Sequence, residues 1–245
     1  WYGPGLNLHR SAFGGRNFEY YSEDGVLSGI FASYEVNGAA KYGVYPFLKH
    51  FAGNDQETNR CAFLLTYMTE QTFRENVLKP FEMTVKGFDF NNYVMGMMTS
   101  YNWIGTVPVI SDANLLKTVL REEWGFVGTV ISDYNGSYGY QISDAAVRAG
   151  NDLMLGYGMA ESNQFTDTEA ATCVLAMRQA CKNILYTVGN SGYYAGEGGA
   201  AEGGDKMTTM FAAMDAAVII AALAIEAVVI LRWAKKRQGS GKAGK

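Results

Sequence analysis

Between residues 6 and 188, short apolar runs alternate with longer segments of helical period, and this alternation restricts the fold more than any other feature. Strand-like runs fall at Leu6–Leu8, Val44–His50, Val94–Ser100, Val127–Ser132 and Asp152–Leu155. Helical patterns lie between them, at about Val26–Lys41, Thr69–Val85, Asp112–Trp124 and Ile142–Ala149. A last helix is expected over Thr168–Val188, where Val174, Leu175, Met177, Ile184, Leu185 and Val188 fall at three- and four-residue steps. Pro80 lacks an N–H and is expected to kink the second helix. Strands joined through helices run parallel, so the pattern predicts a parallel sheet with helices outside it. An open doubly wound sheet and a closed eight-stranded barrel both satisfy it. No G-x-G-x-x-G follows the first strand, and Gly14-Gly15 runs into Arg16 rather than a helix start, which weakens a dinucleotide-binding reading.

The charge is unevenly spread. The net is −4, which argues against binding nucleic acid by phosphate neutralisation. Residues 1–206 hold 14 Lys+Arg and 22 Asp+Glu, while residues 207–245 hold 6 and 2. The body is therefore acidic and the tail basic. From Met210 to Trp233 the chain is apolar but for Asp215, Glu226 and Arg232, over 24 residues, and a helix needs about 20 to cross a bilayer core. A basic cluster follows, with Arg232, Lys235, Lys236 and Arg237 and then Lys242 and Lys245. Positive charge marks the cytoplasmic side. The expectation is a single-pass cell-membrane protein, with a transmembrane helix at 207–233, a basic cytoplasmic tail at 234–245 and residues 1–206 outside. Asp215 and Glu226 are costly in hydrocarbon; eleven residues apart, they share one helix face roughly 16 Å apart. Such a stripe points to helix-mediated self-association. Residues 189–206 are Gly-rich without apolar period and read as a flexible linker. An outside domain needs a secretory signal; none is visible, and the first residue is Trp1, so an upstream N-terminal part is expected.

Three cysteines (Cys61, Cys173, Cys181) do not make a disulfide scaffold, and two histidines rule out a histidine-rich metal site. No metal or organic cofactor is implied. Polar residues gather instead at strand ends. Lys49 and His50 close the second run, Tyr101 and Asn102 follow the third, and Asp133 and Tyr134 follow the fourth. In a (β/α)8 barrel the carboxyl ends of the strands build the active site, so three such ends suggest one pocket.

Several segments in order resemble glycoside hydrolase family 3, in its β-glucosidase branch. They are GPGLNLHRS at 3–11, GGRNFEYYSED at 14–24, KHFAGNDQETNR at 49–60, MMTSYN at 97–102, LLKTVLREEWGFVGTVISDY at 115–134 and AGNDLML at 149–155. The resemblance covers about residues 2–188 and implies a TIM-type barrel. It implies that Asp133 is the catalytic nucleophile of a retaining, exo-acting β-glycosidase, forming a covalent glycosyl-enzyme with a terminal β-D-glucosyl or related residue. It implies that Arg16, Lys49, His50, Arg60, Tyr101 and Tyr134 bind the sugar of an oligosaccharide or other β-glycoside. The chemistry suits these types: a retaining glycosidase needs an ionised carboxylate nucleophile beside a second, acid/base carboxyl group, and nearby cations favour ionisation. Tyr134, Tyr101 and Trp103 are candidates to cover a sugar ring's apolar face.

The departures are specific. Tyr134 stands where the family usually has Trp, and Asp152-Leu153-Met154-Leu155-Gly156 stands where it has D-L-E-M-P. Five strands are visible where closure needs eight, so the expected fold is α/β: a partial (β/α)8 barrel at 1–188 lacking its first two or three units, followed by the linker and the transmembrane helix. No acid/base is evident. Glu57 is expected to pair with Arg60 or Lys49, Glu122 and Glu123 to be a solvated pair, and Glu19 to brace its loop. In many relatives a sandwich domain supplies the acid/base, and some carry that domain before the barrel; the anchor behind the barrel fits this inverted order. The alternatives are a non-catalytic, membrane-tethered carbohydrate-binding protein and a transmembrane assembly subunit organised by Asp215 and Glu226.

Overall fold

The computed structural model describes residues 1–61, 63–87, 94–134, 139–156 and 164–192, together with Ile220. Four strands, β1 (Tyr2–Gly5), β2 (Phe47–Phe51), β4 (Gly96–Thr99) and β7 (Thr129–Ile131), form a sheet in that order. Every pair is parallel, in the registers Gly5 with Lys49, Leu48 with Met97 and Met97 with Val130. A parallel bridge from Ile131 to Leu153 adds a fifth position. Spatial order repeats chain order and each step crosses over through a helix, which is barrel-type winding rather than the order reversal of a doubly wound sheet. The expectation of a partial barrel is met to this extent: five successive parallel positions are present among the described residues.

The helical crossovers follow the sequence pattern with instructive shifts. α1 (Gly25–Ala40) begins where the Asp24 carboxylate accepts the Val26 and Leu27 N–H groups at 2.7 and 3.1 Å. It buries a face of small residues, Gly25, Ser28, Gly29, Ala32, Ser33 and Val36. A Cβ on Gly29 would lie 2.9 Å from Met83 Cβ, so glycine is what permits the close approach of the next helix layer. The second crossover is not one kinked helix. It is α2 (Glu70–Thr72), a π-helical turn over Phe73–Val77, and α3 (Lys79–Lys86). Pro80 sits in the first turn of α3, where its missing N–H has no partner to lose, so it restarts a helix instead of bending one. The third crossover, Asn114–Glu123, is also π-wound. α4 (Ser143–Ala149) and α5 (Ala171–Gly189) complete the set. Around the sheet Leu6, Leu48, Phe51, Met97, Leu116, Leu120 and Val130 are buried in one apolar core, in which Phe51 meets Phe81 and Trp124 edge-on at 5.2 and 5.8 Å.

Two expectations need correction. The first strand is Tyr2–Gly5, not Leu6–Leu8. Gly-Pro-Gly reads as a turn, but β1 lies at an edge of the described sheet, where a proline without an N–H is tolerated; Leu6 and Leu8 are buried just beyond it. In α5 the packed face is Cys173, Ala180, Asn183 and Thr187, whereas Leu175 and Leu185 are 65% and 69% exposed. Apolar periodicity located the helix but does not mark its inner face, because Asn183 and Thr187 on that face are held by hydrogen bonds. Outside the main sheet, β3 (Leu65–Thr66), β5 (Trp103–Ile104) and β6 (Val107–Pro108) form a small second sheet that the sequence pattern did not signal.

The chain divides into two units, Trp1–Gly199 and Ala200–Lys245. The expected transmembrane helix at 207–233, but for Ile220, and the expected basic tail at 234–245 lie outside the described residues, as does most of the expected 189–206 linker. Among the described residues no helix is long and apolar enough to cross a membrane. The three cysteines are free; Cys173 is buried and Cys181 exposed.

Candidate active site

At the carboxyl ends of β2, β4 and β7 the structure brings the expected residues together. Asp133 lies two residues beyond β7 and is buried. Its Oδ1 accepts the Tyr134 N–H at 2.7 Å, while Oδ2 has no hydrogen-bond partner among the described residues. His50 Nε2 lies 3.6 Å from Oδ2. A buried acceptor without a partner costs about 1–3 kcal/mol, so Oδ2 is left open to a proton or a ligand.

His50 is itself immobilised. Its N–H donates to Asn7 Oδ1 at 2.8 Å and its carbonyl accepts from Asn7 Nδ2 at 3.0 Å, so one asparagine after β1 clamps β2 by two bonds. The ring Nδ1 lies 3.3 Å from Tyr20 Oη and 3.4 Å from Asn7 Oδ1. Burial pushes the His50 pKa well below its usual value, and Arg16, Lys49 and Arg60 push the same way, so the imidazole beside Asp133 is neutral at pH 7.

The cations are organised by two carboxylates. Glu19 Oε1 pairs with Lys49 Nζ at 2.6 Å, and Glu19 Oε2 receives Arg16 Nε and Nη2 at 2.7 and 2.6 Å. Glu57 takes Arg60 Nε at 3.1 Å and lies 3.8 Å from Arg16 Nη1. The result is a chain of alternating charge: Lys49, Glu19, Arg16, Glu57, Arg60. The Glu57–Arg60 pair is as the sequence suggested. Glu19 does more than brace its loop, since it joins two of the expected sugar ligands; its three-residue spacing from Arg16 is the signal that was available. Arg60 then lies over the Tyr101 ring, its Cζ 4.6 Å from the centroid, and its Nη1 has no hydrogen-bond partner among the described residues. The Tyr101 hydroxyl donates to the Tyr134 carbonyl, and Tyr140 donates to the Tyr101 carbonyl at 2.9 Å.

The electrostatic outcome at Asp133 differs from the expectation. Burial raises its pKa, while the Tyr134 N–H and then Arg60, Arg16 and Lys49 lower it, and burial outweighs them. The cations favour the charge, as expected, but do not overcome desolvation. Tyr101 is also corrected as a sugar-covering surface: it is buried, with a guanidinium over its ring, whereas Tyr134 is 47% exposed. The other acidic candidates are committed elsewhere: Glu123 receives Arg74 through paired bonds of 2.7 and 3.1 Å on the outer surface. Asn7 and Tyr20 are the positioning residues that sequence reasoning passed over. Asn7 and Tyr20 carry no spacing signal, because they meet His50 only through strand pairing.

Comparison with known proteins matches residues 2–188 to the model of the glycosyl hydrolase family 3 N terminal domain. A probable β-glucosidase J of Emericella nidulans is 41% identical over 151 residues, covering 62% of this chain and 17% of that protein. A probable β-glucosidase I of Aspergillus flavus is 37% identical over 191 residues, 76% of this chain and 22% of that protein. The chain thus spans about a fifth of the length of these curated relatives. The structure of β-glucosidase 3B from Thermotoga neapolitana in complex with α-D-glucose superposes with a TM-score of 0.66 at 36% identity, covering 78% of this chain and 27% of that one.

Proposed function

The chain belongs to glycosyl hydrolase family 3, and from that membership we propose that residues 2–188 carry the nucleophile side of a retaining β-glycosidase site that removes terminal β-D-glucosyl or closely related residues. The observation that carries this reading is Asp133: a buried carboxylate at a strand's carboxyl end, one oxygen fixed by a backbone N–H and the other unpartnered beside neutral His50. Asp133 attacks the anomeric carbon, the glycosidic C–O bond breaks, and the leaving oxygen takes a proton from a second carboxylic acid. Water, deprotonated by that second group, then releases the sugar from the aspartyl ester. Arg16, Lys49, His50 and Arg60 hold sugar hydroxyls, Tyr101 supports the backbone at Tyr134, and Tyr134 offers an exposed ring.

The second carboxyl group is proposed to come from outside residues 1–188, because Glu19 and Glu57 are each bound to two cations. That same inventory favours a second reading, a tethered carbohydrate-binding protein whose pocket persists without hydrolysis. We also read residues 207–233 as the membrane span, with the active domain outside and the basic tail inside, on the apolar run and the cation cluster after it. Resistance of the protein to alkaline extraction from membranes checks this.

The decisive experiment uses the full-length protein and its Asp133→Ala variant with 2-deoxy-2-fluoro-β-glucosyl fluoride, read by intact mass. A one-sugar adduct on wild type and none on the variant is expected. Sugar binding without an adduct would favour the binding-protein reading.

A further inference from the structure

The two ring nitrogens of His50 have different surroundings, and those surroundings decide which one carries the proton. Nε2 lies 3.6 Å from Asp133 Oδ2. Among the described residues two groups reach Nδ1, Tyr20 Oη at 3.3 Å and Asn7 Oδ1 at 3.4 Å. Asn7 cannot donate there. Its Nδ2 is turned to the His50 carbonyl and its Oδ1 to the His50 N–H. The reverse placement would set donor against donor and acceptor against acceptor. Tyr20 is the one of the two that can donate. Burial pushes its phenol pKa up, so the hydroxyl keeps its proton.

Tyr20 is held as firmly as the ring it approaches. It is buried, and its backbone makes a parallel bridge with Gly5 at the end of β1. His9 Nε2 donates to its carbonyl at 2.9 Å. A Cβ on Gly5 would lie 2.8 Å from Tyr20 Cδ1, so glycine there lets the phenol ring lie against the strand. That ring meets the imidazole edge-on, with centroids 6.3 Å apart. A phenylalanine would fill the same space, and what the hydroxyl adds is the approach to Nδ1.

Resting on the reading of Asp133 as nucleophile, we propose that Tyr20 is a positioning residue that donates to His50 Nδ1 and so keeps the imidazole proton on Nε2, facing Asp133. A nucleophile attacks as the carboxylate, and a bare Nε2 at 3.6 Å would turn a lone pair toward that charge. With the proton on Nε2 the imidazole is a donor. A sugar hydroxyl entering between the two groups accepts from His50 and gives its own proton to Asp133, and both bonds are made. With the proton on Nδ1 the same hydroxyl would meet two acceptors with one proton to give. Tyr20 thus sets the polarity of the pocket wall through His50. The charges acting on the ring are those of Arg16, Lys49 and Arg60 and, across 3.6 Å, Asp133, and Tyr20→Phe alters none of these residues.

The test uses the full-length protein labelled with 15N-histidine, as wild type, Tyr20→Phe, His50→Gln and the double variant. The His50 ring resonances are those missing from His50→Gln. The protonated nitrogen is expected to be Nε2 in wild type and Nδ1 in Tyr20→Phe, where Asn7 Oδ1 is left as its acceptor. On a β-glucoside, Tyr20→Phe is expected to lower kcat/KM roughly tenfold, the worth of one buried hydrogen bond. The acid limb of its pH profile should move up by about one unit, because a bare Nε2 opposes the Asp133 charge. A glutamine amide has no tautomers, so adding Tyr20→Phe to His50→Gln should change kcat/KM by less than about twofold. A wild-type proton on Nδ1, an unchanged tautomer in Tyr20→Phe, or equal losses in the two backgrounds would overturn the proposal and leave Tyr20 as packing. If wild type hydrolyses no β-glucoside, the nucleophile reading fails on its own. The nitrogen spectra, which need no turnover, then decide the tautomer by the same two outcomes.

Discussion

The two ends of the parallel sheet each bury a carboxylate, and they treat it in opposite ways. At the amino end, Asp152 takes the Val130 N–H at 2.7 Å, Arg121 Nη2 at 2.7 Å and Asn183 Nδ2 at 2.8 Å. Arg121 goes on to the carbonyls of Gly128 and Gly150 at 3.0 and 3.3 Å. At the carboxyl end, Asp133 has one donor and an unpartnered oxygen. Burial raises the pKa of both acids, and it also lowers that of Arg121, so neither end is distinguished by its electrostatic cost. What separates them is satisfaction. Three donors make Asp152 a structural joint, and a vacancy makes Asp133 available for chemistry. This is the division of labour that barrels show between the stabilising and the reactive faces.

The sharpest way to break the contrast is to neutralise the reactive end. Asp133→Asn in the full-length protein is expected to lower kcat/KM for a β-glucoside by at least about 10³-fold, as removal of a covalent nucleophile does. The same change should leave thermal stability at pH 7 equal or higher. A raised folded pKa means the carboxylate adds stability below its unfolded pKa and loses it as pH rises through the folded one. The asparagine's advantage should therefore vanish below about pH 4. A variant destabilised at pH 7 would show that Asp133 is a joint like Asp152.

Asp152→Ala is the converse. It strands the buried Arg121 and two further donors, the Val130 N–H and Asn183 Nδ2, and should cost about 3–5 kcal/mol of unfolding free energy by denaturant titration. Below its lowered midpoint, the remaining folded protein should keep its KM. A rise in KM instead would mean that the amino end is coupled to the site.

Glu19→Gln acts between these extremes. Both Lys49 and Arg16 lose a charged acceptor, and KM should rise roughly tenfold with a smaller change in kcat. The midpoint of thermal unfolding should move by less than about 4 °C, since the pairs are partly exposed. A large loss of stability with KM intact would reassign Glu19 to the scaffold.

The smallest effect belongs to His50. Its depressed folded pKa means that its contribution is present above the unfolded value of about 6.5 and is lost as pH falls below it. Stability should decline gently from pH 6.5 downward, and more steeply in Asp133→Asn, where the opposing slope of Asp133 is gone. Equal slopes in the two proteins would remove the pairing of these groups.

Most of the carboxyl end was legible in the sequence and most of the amino end was not. Lys49, His50, Tyr101 and Asp133 follow or close apolar strands, and chain alternation alone carries such positions to one side of a sheet. The joint at Asp152 depends on Arg121 and Asn183, which come from different helices and sit at positions that hydrophobic period counts as outward. For the same reason the apolar steps that located α5 include Leu175 and Leu185, which are exposed. The small sheet was invisible because strands of two residues have no period to detect. The π-wound crossovers were invisible for a related reason: a helix wound to five-residue bonding over one or two turns leaves the apolar spacing nearly as an α-helix would.

Thr187 gives the amino end a consequence in time. Its hydroxyl accepts the Thr129 N–H and donates to the Met95 carbonyl, each at 3.0 Å, and the second of these bonds joins residues 92 apart in the chain. A ribosome adds roughly 5–20 residues per second, so about 5–20 s pass between the synthesis of Met95 and of Thr187. Throughout that interval the amino end of β4 lacks its clasp, and β7, made part-way through it, lacks its own for the remainder. The nascent domain must wait, partly assembled, for its last helix, and a factor that shelters newly made chains would find it during that interval.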